Sequence, residues 1–490
     1  MSDTAFDEKG TSGMAGFAAV RARMRLDAGE AAIASRVVYV GTAVYAAVFT
    51  FATVVHYVVF QTPRDDLGNM VQTVWNTAHG RFFMESGLAG GEGSRLGAHV
   101  DPFLALLTPF YWVWSSPLLL LVVQSIAVAS GALPVFWLAR KHLSSPRAGA
   151  FFAFAYLLYP ATQFNAFTPG AGFHSVSLAV PLILYAVWFL DEDRLLAFSL
   201  VALLACTTKE EIPLAVGCLG IWYAVRTGRR LFGLSVFAIG LALTLFNFLW
   251  VVPHFSSSGV NPFAGRYHAV GGGTPGGMAH KLVTDPAAFL HTVATGHKAV
   301  YLVLLLVPFL GLWLLEPLLL LGAVPDLAFN LLSNNPNQTT LTFQYTAGIL
   351  PFLVAGSIYG AARLTRRAPE LPLWVLAATA AVAIYSPIYF AVHDARALGS
   401  EVVAAKQQAS SLIPANAQVT ASNQIGAHLS ERRYIRTFPY VGDSRWIVVD
   451  INDATYTNPR RYRRSFRKYE NGKAWRIVYS SHGITVLHKR

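Results

Sequence analysis

The chain has 490 residues, of which 54% are hydrophobic and 13% charged. Soluble domains carry about twice that share of charge, and with a positive mean hydropathy the apolar residues outnumber what one water-bounded core can hide, so lipid is the solvent for much of the chain. The formal charge of +12 matters here by its position rather than its sum, and nucleic acid is not an expected partner. The two cysteines, Cys206 and Cys218, both lie in apolar runs, which argues against a disulfide framework and against a thiolate metal site.

Residues 1–36 read as a polar, disordered cytoplasmic tail with Arg21, Arg23 and Arg25 near its end. The apolar run that follows is too long for the core of a cleavable signal, so it is expected to stay as a helix. Residues 37–60 suffice to cross a hydrocarbon layer of roughly 30 Å. A first outer loop is expected over 61–116. Within it, residues 66–79 have helical spacing and suit the interface, and residues 101–114 are apolar but short, as in a re-entrant segment. Further spans are expected at 117–139, 148–160, 175–190, 195–207, 212–225, 231–252, 299–315, 318–332, 345–362 and 371–391, giving about eleven transmembrane helices in a membrane domain of residues 37–391.

Orientation follows from charge, because short loops rich in Lys and Arg stay cytoplasmic. The clusters Arg21 to Arg36, Arg140/Lys141/Arg147, Arg226/Arg229/Arg230 and Arg363/Arg366/Arg367 all fall on one side of this arrangement. The C-terminus is then extracytoplasmic. Residues 392–490 are ordinary globular sequence. A helix is expected over 395–412, strands over 418–422, 434–438, 446–450, 475–479 and 484–487, and a helix over 461–468. That is a small α/β domain outside the membrane.

Polar groups held against a bilayer are costly and therefore informative, and four constellations share the outer side. Asp65 and Asp66 open the first interfacial helix; one carboxylate caps a helix well, and a second is free to act as a general base. His99 and Asp101, two apart on an extended segment, point the same way and are candidates for a divalent metal ion, or for a structural pair. His174 ends the Gly-rich stretch from Thr168, a composition tolerated at membrane depth only where backbone lines a cavity or is buried in protein. Lys209, Glu210 and Glu211 leave a net charge in want of a partner, with Lys209 suited to a phosphate. Later, Asp326, Asn330, Asn334, Asn335, Gln338 and Tyr345 offer amides and a phenol that suit sugar hydroxyls or a tight turn. The basic run from Arg460 to Arg464 reads as a solvated face.

These residues carry a resemblance. Asp66-Leu67-Gly68, Trp75-Asn76, His79-Gly80, His99 with Pro102, Phe173-His174, Lys209-Glu210, Pro325-Asp326 to Asn330, the run Asn334 to Gln338, and Ile413-Pro414 with Ala421-Ser422-Asn423 resemble a family of bacterial membrane proteins known as domain of unknown function 2079. The chain departs from that pattern at Gln344, where His is common, and at Ser175, where Pro is common. The family is similar in layout to the C-type glycosyltransferases, polytopic enzymes that use polyprenyl-phosphate-linked sugars and keep a catalytic acid in the first outward loop. The resemblance implies a C-type glycosyltransferase-like fold, a lipid-linked sugar donor, an extracytoplasmic acceptor, and Asp66, with Asp65 second, as the base. Two other classes fit the same composition: a transporter or flippase for a lipid-linked or polar solute, and a non-catalytic envelope assembly protein.

Overall fold

Apolar runs broken by Pro and Gly give helices of unequal length, and these build most of the molecule. The computed structural model describes residues 8–87 and 91–490, with side chains from residue 29 onward except Pro275. Helix Glu8–Val58 enters the first span without a break. Of the expected disordered tail, residues 1–7 lie outside the described residues, and the remainder is helical backbone; its sequence from Glu8 to Arg36 contains no proline to stop a helix.

Among the described residues, three helices are long and apolar enough to cross a membrane: Gly29–Val58, Leu118–His142 and Arg230–Phe255. A bent pair, Pro286–Val293 with Gly296–Phe309, makes a fourth if counted as one span. The other expected spans are occupied by shorter apolar helices, among them Ser175–Asp191, Leu195–Cys206, Ile212–Thr227, Leu350–Leu364 and Leu371–Val382. Proline explains several of the breaks: Pro160 separates Pro146–Leu158 from Pro160–Ala166, and Pro387 precedes Ile388–Ala395. Large apolar side chains such as Leu196, Leu231 and Trp374 remain exposed on these helices, as expected of a lipid-facing surface.

Helix Ile212–Thr227 shows how the ends of the body differ. Glu211 precedes its first turn and Arg226 lies in its last, about 22 Å apart at 1.5 Å per residue. At the Arg226 end, Asp191 gathers Lys141 at 2.7 Å, His142 at 3.0 Å, Arg226 at 3.6 Å and the Tyr359 hydroxyl at 2.7 Å. Basic residues from separate loops thus meet at one end. The polar groups of the candidate site meet at the other.

Two sheets complete the fold. In the first loop, strand β1 (Met84–Ser86) pairs antiparallel with β2 (Glu92–Ser94). The C-terminal domain holds β3 (Val419–Ala421), β4 (Ile435–Thr437), β5 (Trp446–Asp450), β6 (Trp475–Ser481) and β7 (Ile484–Lys489) in the order β4-β3-β5-β7-β6. The β3 pairings are parallel; the β5–β7 and β6–β7 pairings are antiparallel. Side chains alternate between faces. Val419, Val448 and Val486 pack toward helix Glu401–Ser411 and toward Val59 and Phe60 at the end of the first span. Ile447, Val449 and Leu487 face Tyr462 and Phe466 of helix Pro459–Glu470.

The domain is docked on the first loop. His428 stacks on Tyr57 and Phe60 at 4.0 and 3.8 Å, and burial pushes its imidazole down to about 3, so it packs as a neutral ring. Gln72 donates to the carbonyls of Arg432 and Arg433, and Tyr111 donates to Glu431 at 2.6 Å.

Candidate active site

Pro63 starts the turn Arg64–Gly68 that carries the two adjacent carboxylates. The Arg64 guanidinium is fully buried and donates to Thr437, to the Ser86 carbonyl at 2.6 Å and to the Ile435 carbonyl at 3.0 Å. Leu67 is buried in the loop's own core. A Cβ at Gly68 would lie 2.5 Å from the Ser430 hydroxyl, so only glycine allows this approach. The turn leaves Asp65 and Asp66 pointing to different partners. Asn423 of the C-terminal domain accepts from the backbone N–H groups of Arg64 and Asp65 and donates to the Asp65 carboxylate at 2.9 Å. Asp66 Oδ1 lies 3.4 Å from His174 Nε2.

His174 is held from behind. Gly172, at φ +84°, lets the chain double back. Gln124 then accepts from the His174 N–H at 2.7 Å and donates to the Gly172 carbonyl at 3.1 Å. Burial lowers the imidazole's pKa against the pull of Asp66. At neutral pH His174 is therefore uncharged, with its Nε2 beside the Asp66 carboxylate. Farther back on the same loop, the Pro169 carbonyl lies 2.7 Å from His56 Nε2, whose Nδ1 is 2.6 Å from Asp394.

His174 also lines a cavity of about 690 Å³. Its polar wall includes His99, Lys209, Glu210, Arg266, Asp326 and Asn330, and its apolar wall includes Leu245, Phe248 and Leu249. This mix, mostly apolar with convergent polar groups, is the usual make-up of a small-molecule site. Glu210 binds the first loop to the wall: it meets His99 Nδ1 at 3.0 Å and accepts from the Val100 N–H at 3.0 Å. Burial would raise the Glu210 carboxyl, but His99 and Lys209 outweigh it and hold it well below the ordinary carboxylate range. Lys209 pairs with Glu211 at 2.5 Å and sits 5.8 Å from the Tyr345 ring centroid. Burial disfavours its charge, yet Glu211 and Glu210 prevail and keep it protonated.

The structure brings His99, Asp101, His174, Lys209, Glu210, Glu211, Gln338 and Tyr345 to one cavity, with Asp66 beside it against His174, and it separates some expected partners. Asp101 does not share a ligand with His99. Arg95 claims it through its Nε and Nη2 at 2.8–2.9 Å, and the Ser175 hydroxyl donates to it at 3.2 Å. Among the described residues no group of three His, Cys, Asp or Glu side chains is placed to hold a metal ion. The expected His99–Asp101 metal pair therefore does not fit: one residue turns to a carboxylate and the other to a guanidinium. Asn334 is exposed and stands outside the cavity lining. Asp65 faces Asn423, away from His174.

Residues singled out by neither spacing nor motif also enter the wall. Arg266 lies over the Phe263 ring at 4.3 Å and reaches the Tyr345 hydroxyl at 3.4 Å. Tyr267 meets Gln338 at 3.4 Å. Both come from a Gly-rich stretch whose sequence gives no periodic signal. Asp326 packs so closely on Gly348 that a Cβ there would sit 1.8 Å from a carboxylate oxygen, which accounts for the glycine.

The helical body with its docked C-terminal domain is similar in fold to a solved structure of the C-type glycosyltransferase class. The ArnT of Cupriavidus metallidurans, a member of that class, aligns in its apo state with a TM-score of 0.52 at 14% identity, over 93% of this chain and 98% of that one. The same protein bound to undecaprenyl phosphate gives 0.48 at 12% identity over 89% and 96%. The oligosaccharyltransferase of Archaeoglobus fulgidus gives 0.43 at 15% identity over 82% and 68%. Residues 56–486 match the family described as "Predicted membrane protein (DUF2079)", and the chain belongs to that family. No protein of curated function matches the sequence.

Proposed function

We propose that this protein is a membrane glycosyltransferase that moves a sugar from a polyprenyl-phosphate donor to an extracytoplasmic acceptor, with Asp66 as general base. The observation that carries the proposal is the contact of Asp66 with His174, a residue that lines the large cavity. The acceptor hydroxyl gives its proton to Asp66 as its oxygen attacks the anomeric carbon. The bond from that carbon to the phosphate oxygen breaks, and the electron pair leaves with the polyprenyl phosphate. One displacement inverts the anomeric centre. His174, neutral beside it, orients the carboxylate and leaves its other oxygen for the acceptor.

The leaving phosphate calls for fixed positive charge. Lys209 already has a carboxylate partner in Glu211. Arg266 is engaged by an aromatic ring and a phenol, so it is the better first contact for the phosphate, with Lys209 behind it. The apolar wall belongs to helix Arg230–Phe255, of whose most apolar window only 22% is buried. A polyprenyl chain has a path from the lipid along that helix to the cavity. The shared end of the basic loops, by the rule that Lys and Arg stay cytoplasmic, supports a cavity and C-terminal domain on the outer side.

The test uses protein purified in lipid nanodiscs with a panel of radiolabelled polyprenyl-phosphate sugars. Wild-type protein should release or transfer label, and Asp66→Asn should lower turnover by about 10²–10⁴-fold with donor binding retained. Turnover that survives in Asp66→Asn would assign the base elsewhere.

A further inference from the structure

Residues 459–490 carry ten Lys and Arg against one acid, Glu470. Nine of the chain's net +12 charges thus lie in its last 32 residues. Helix Pro459–Glu470 holds six of the ten, Arg460, Arg461, Arg463, Arg464, Arg467 and Lys468, and all six are exposed. Their side-chain hydrogen bonding, among the described residues, is limited to Arg463 with Asn452 at 3.3 Å. Arg460, Arg464 and Arg467 follow the i, i+4, i+7 row, so positive charge recurs every 4.5–6 Å along one face (about 1.5 Å per residue).

Two features decide between a lipid surface and a soluble polymer. A helix that lies on a membrane turns Trp, Phe or Leu toward the acyl chains. Here the aromatic face is already spent on the sheet, where Tyr462 and Phe466 pack on Phe438, Ile447 and Leu487. The opposite face of the same sheet rests on Val59 and Phe60 at the end of the first span. The sheet therefore stands between the basic helix and the membrane body, and the Arg row looks away from the bilayer.

We propose that this helix is the docking surface for a phosphate-bearing polyanionic polymer and, resting on the transferase proposal above, that this polymer is the acceptor. Guanidinium groups grip phosphate through paired N–H donors, and a polymer that meets several at once gains by multivalency over the free ion.

The experiment measures binding of inorganic polyphosphate to the full chain in neutral-lipid nanodiscs, across a salt series, with orthophosphate as the monomeric control. Wild-type protein should bind polyphosphate far more tightly than orthophosphate. In Arg460/Arg461/Arg464/Arg467→Gln, affinity should fall at least about tenfold and the slope of log K on log salt by about 3. Replacing the same four residues by Lys should keep most of the binding. Equal binding by wild type and the Gln variant would overturn the proposal. So would a wild type that ignores polyphosphate and instead binds vesicles containing phosphatidylglycerol. Should the Gln variant not fold, a wild-type salt slope near zero would overturn it. Polyphosphate binding needs no turnover, so a protein that binds the polymer yet transfers no sugar would keep the surface and remove the acceptor role.

Discussion

Asp65 and Asp66 are neighbours in the chain, yet Asn423 takes the first and His174 faces the second. Asp65→Asn should therefore change turnover by less than about tenfold where Asp66→Asn costs 10²–10⁴, as initial rates will show. Asp66 stood out in the sequence because a second carboxylate exceeds the needs of a cap. The division of labour did not, since Asn423 is 358 residues away from Asp65. Arg266 escaped for a similar reason: nothing local distinguishes it, and only the fold brings Tyr345 to it. The His99–Asp101 pairing failed because alternation along a strand says which way side chains point and nothing of who meets them there. Acid provides another test at this scale. The Glu210 carboxyl lies below its ordinary range in the folded protein, so the stability it contributes is present above about pH 4.3 and lost as pH falls below that value. Thermal unfolding between pH 3 and 7 should show a drop on the acid side, and Glu210→Gln should lower stability at pH 7 and flatten that drop.

At the scale of elements, hydrophobic runs and breakers located most helices, and strand β5 coincides with its expected bounds. Helices Pro275–Thr284 and Pro286–Val293 were not anticipated; their stretch mixes Gly, His and Thr without a clear apolar period. Nor did periodicity reveal how helices Ile212–Thr227 and Arg230–Phe246 pack. A Cβ at Gly220 would lie 2.3 Å from the Gly233 carbonyl, one at Gly233 2.3 Å from the Gly220 carbonyl, and one at Gly240 2.2 Å from the Pro213 carbonyl. Backbone touches backbone along this hairpin, a close approach that small residues permit in membranes. Glu211 stands at the N-cap of the first of these helices, and the second supplies Leu245 to the cavity, with Phe248 just past its end. Gly233→Val should therefore pry the pair apart, costing about 1–3 kcal/mol, with a lower melting temperature and weaker donor binding in the same preparation.

For the whole molecule, orientation is the first quantity to measure. Ala474 is exposed in the C-terminal domain. In a Cys206→Ala, Cys218→Ala background, Ala474→Cys should react with a membrane-impermeant maleimide in intact cells. Labelling that requires broken cells would place the domain inside and with it the proposed acceptor. The membrane class and the C-terminal α/β domain could be read from composition and pattern. The contacts that join domain to loop could not, because hydropathy carries no information about partners hundreds of residues apart.

The bond from the Arg64 backbone to Asn423 spans 359 residues of chain. At about 5–20 residues per second, roughly 20–70 s of synthesis separate the two. Throughout that interval the loop bearing Asp66 exists without its brace, and the brace arrives only with the last folded piece of the protein. A chain cut short before that point would carry a complete set of cavity residues and a turn held only by its contacts within the first loop, among them Arg64 to the Ser86 carbonyl and the packing of Leu67. The C-terminal domain is thus the last part of the turn's surroundings to be made, and the Asn423 contacts to Arg64 and Asp65 form only once nearly the whole chain has been synthesised.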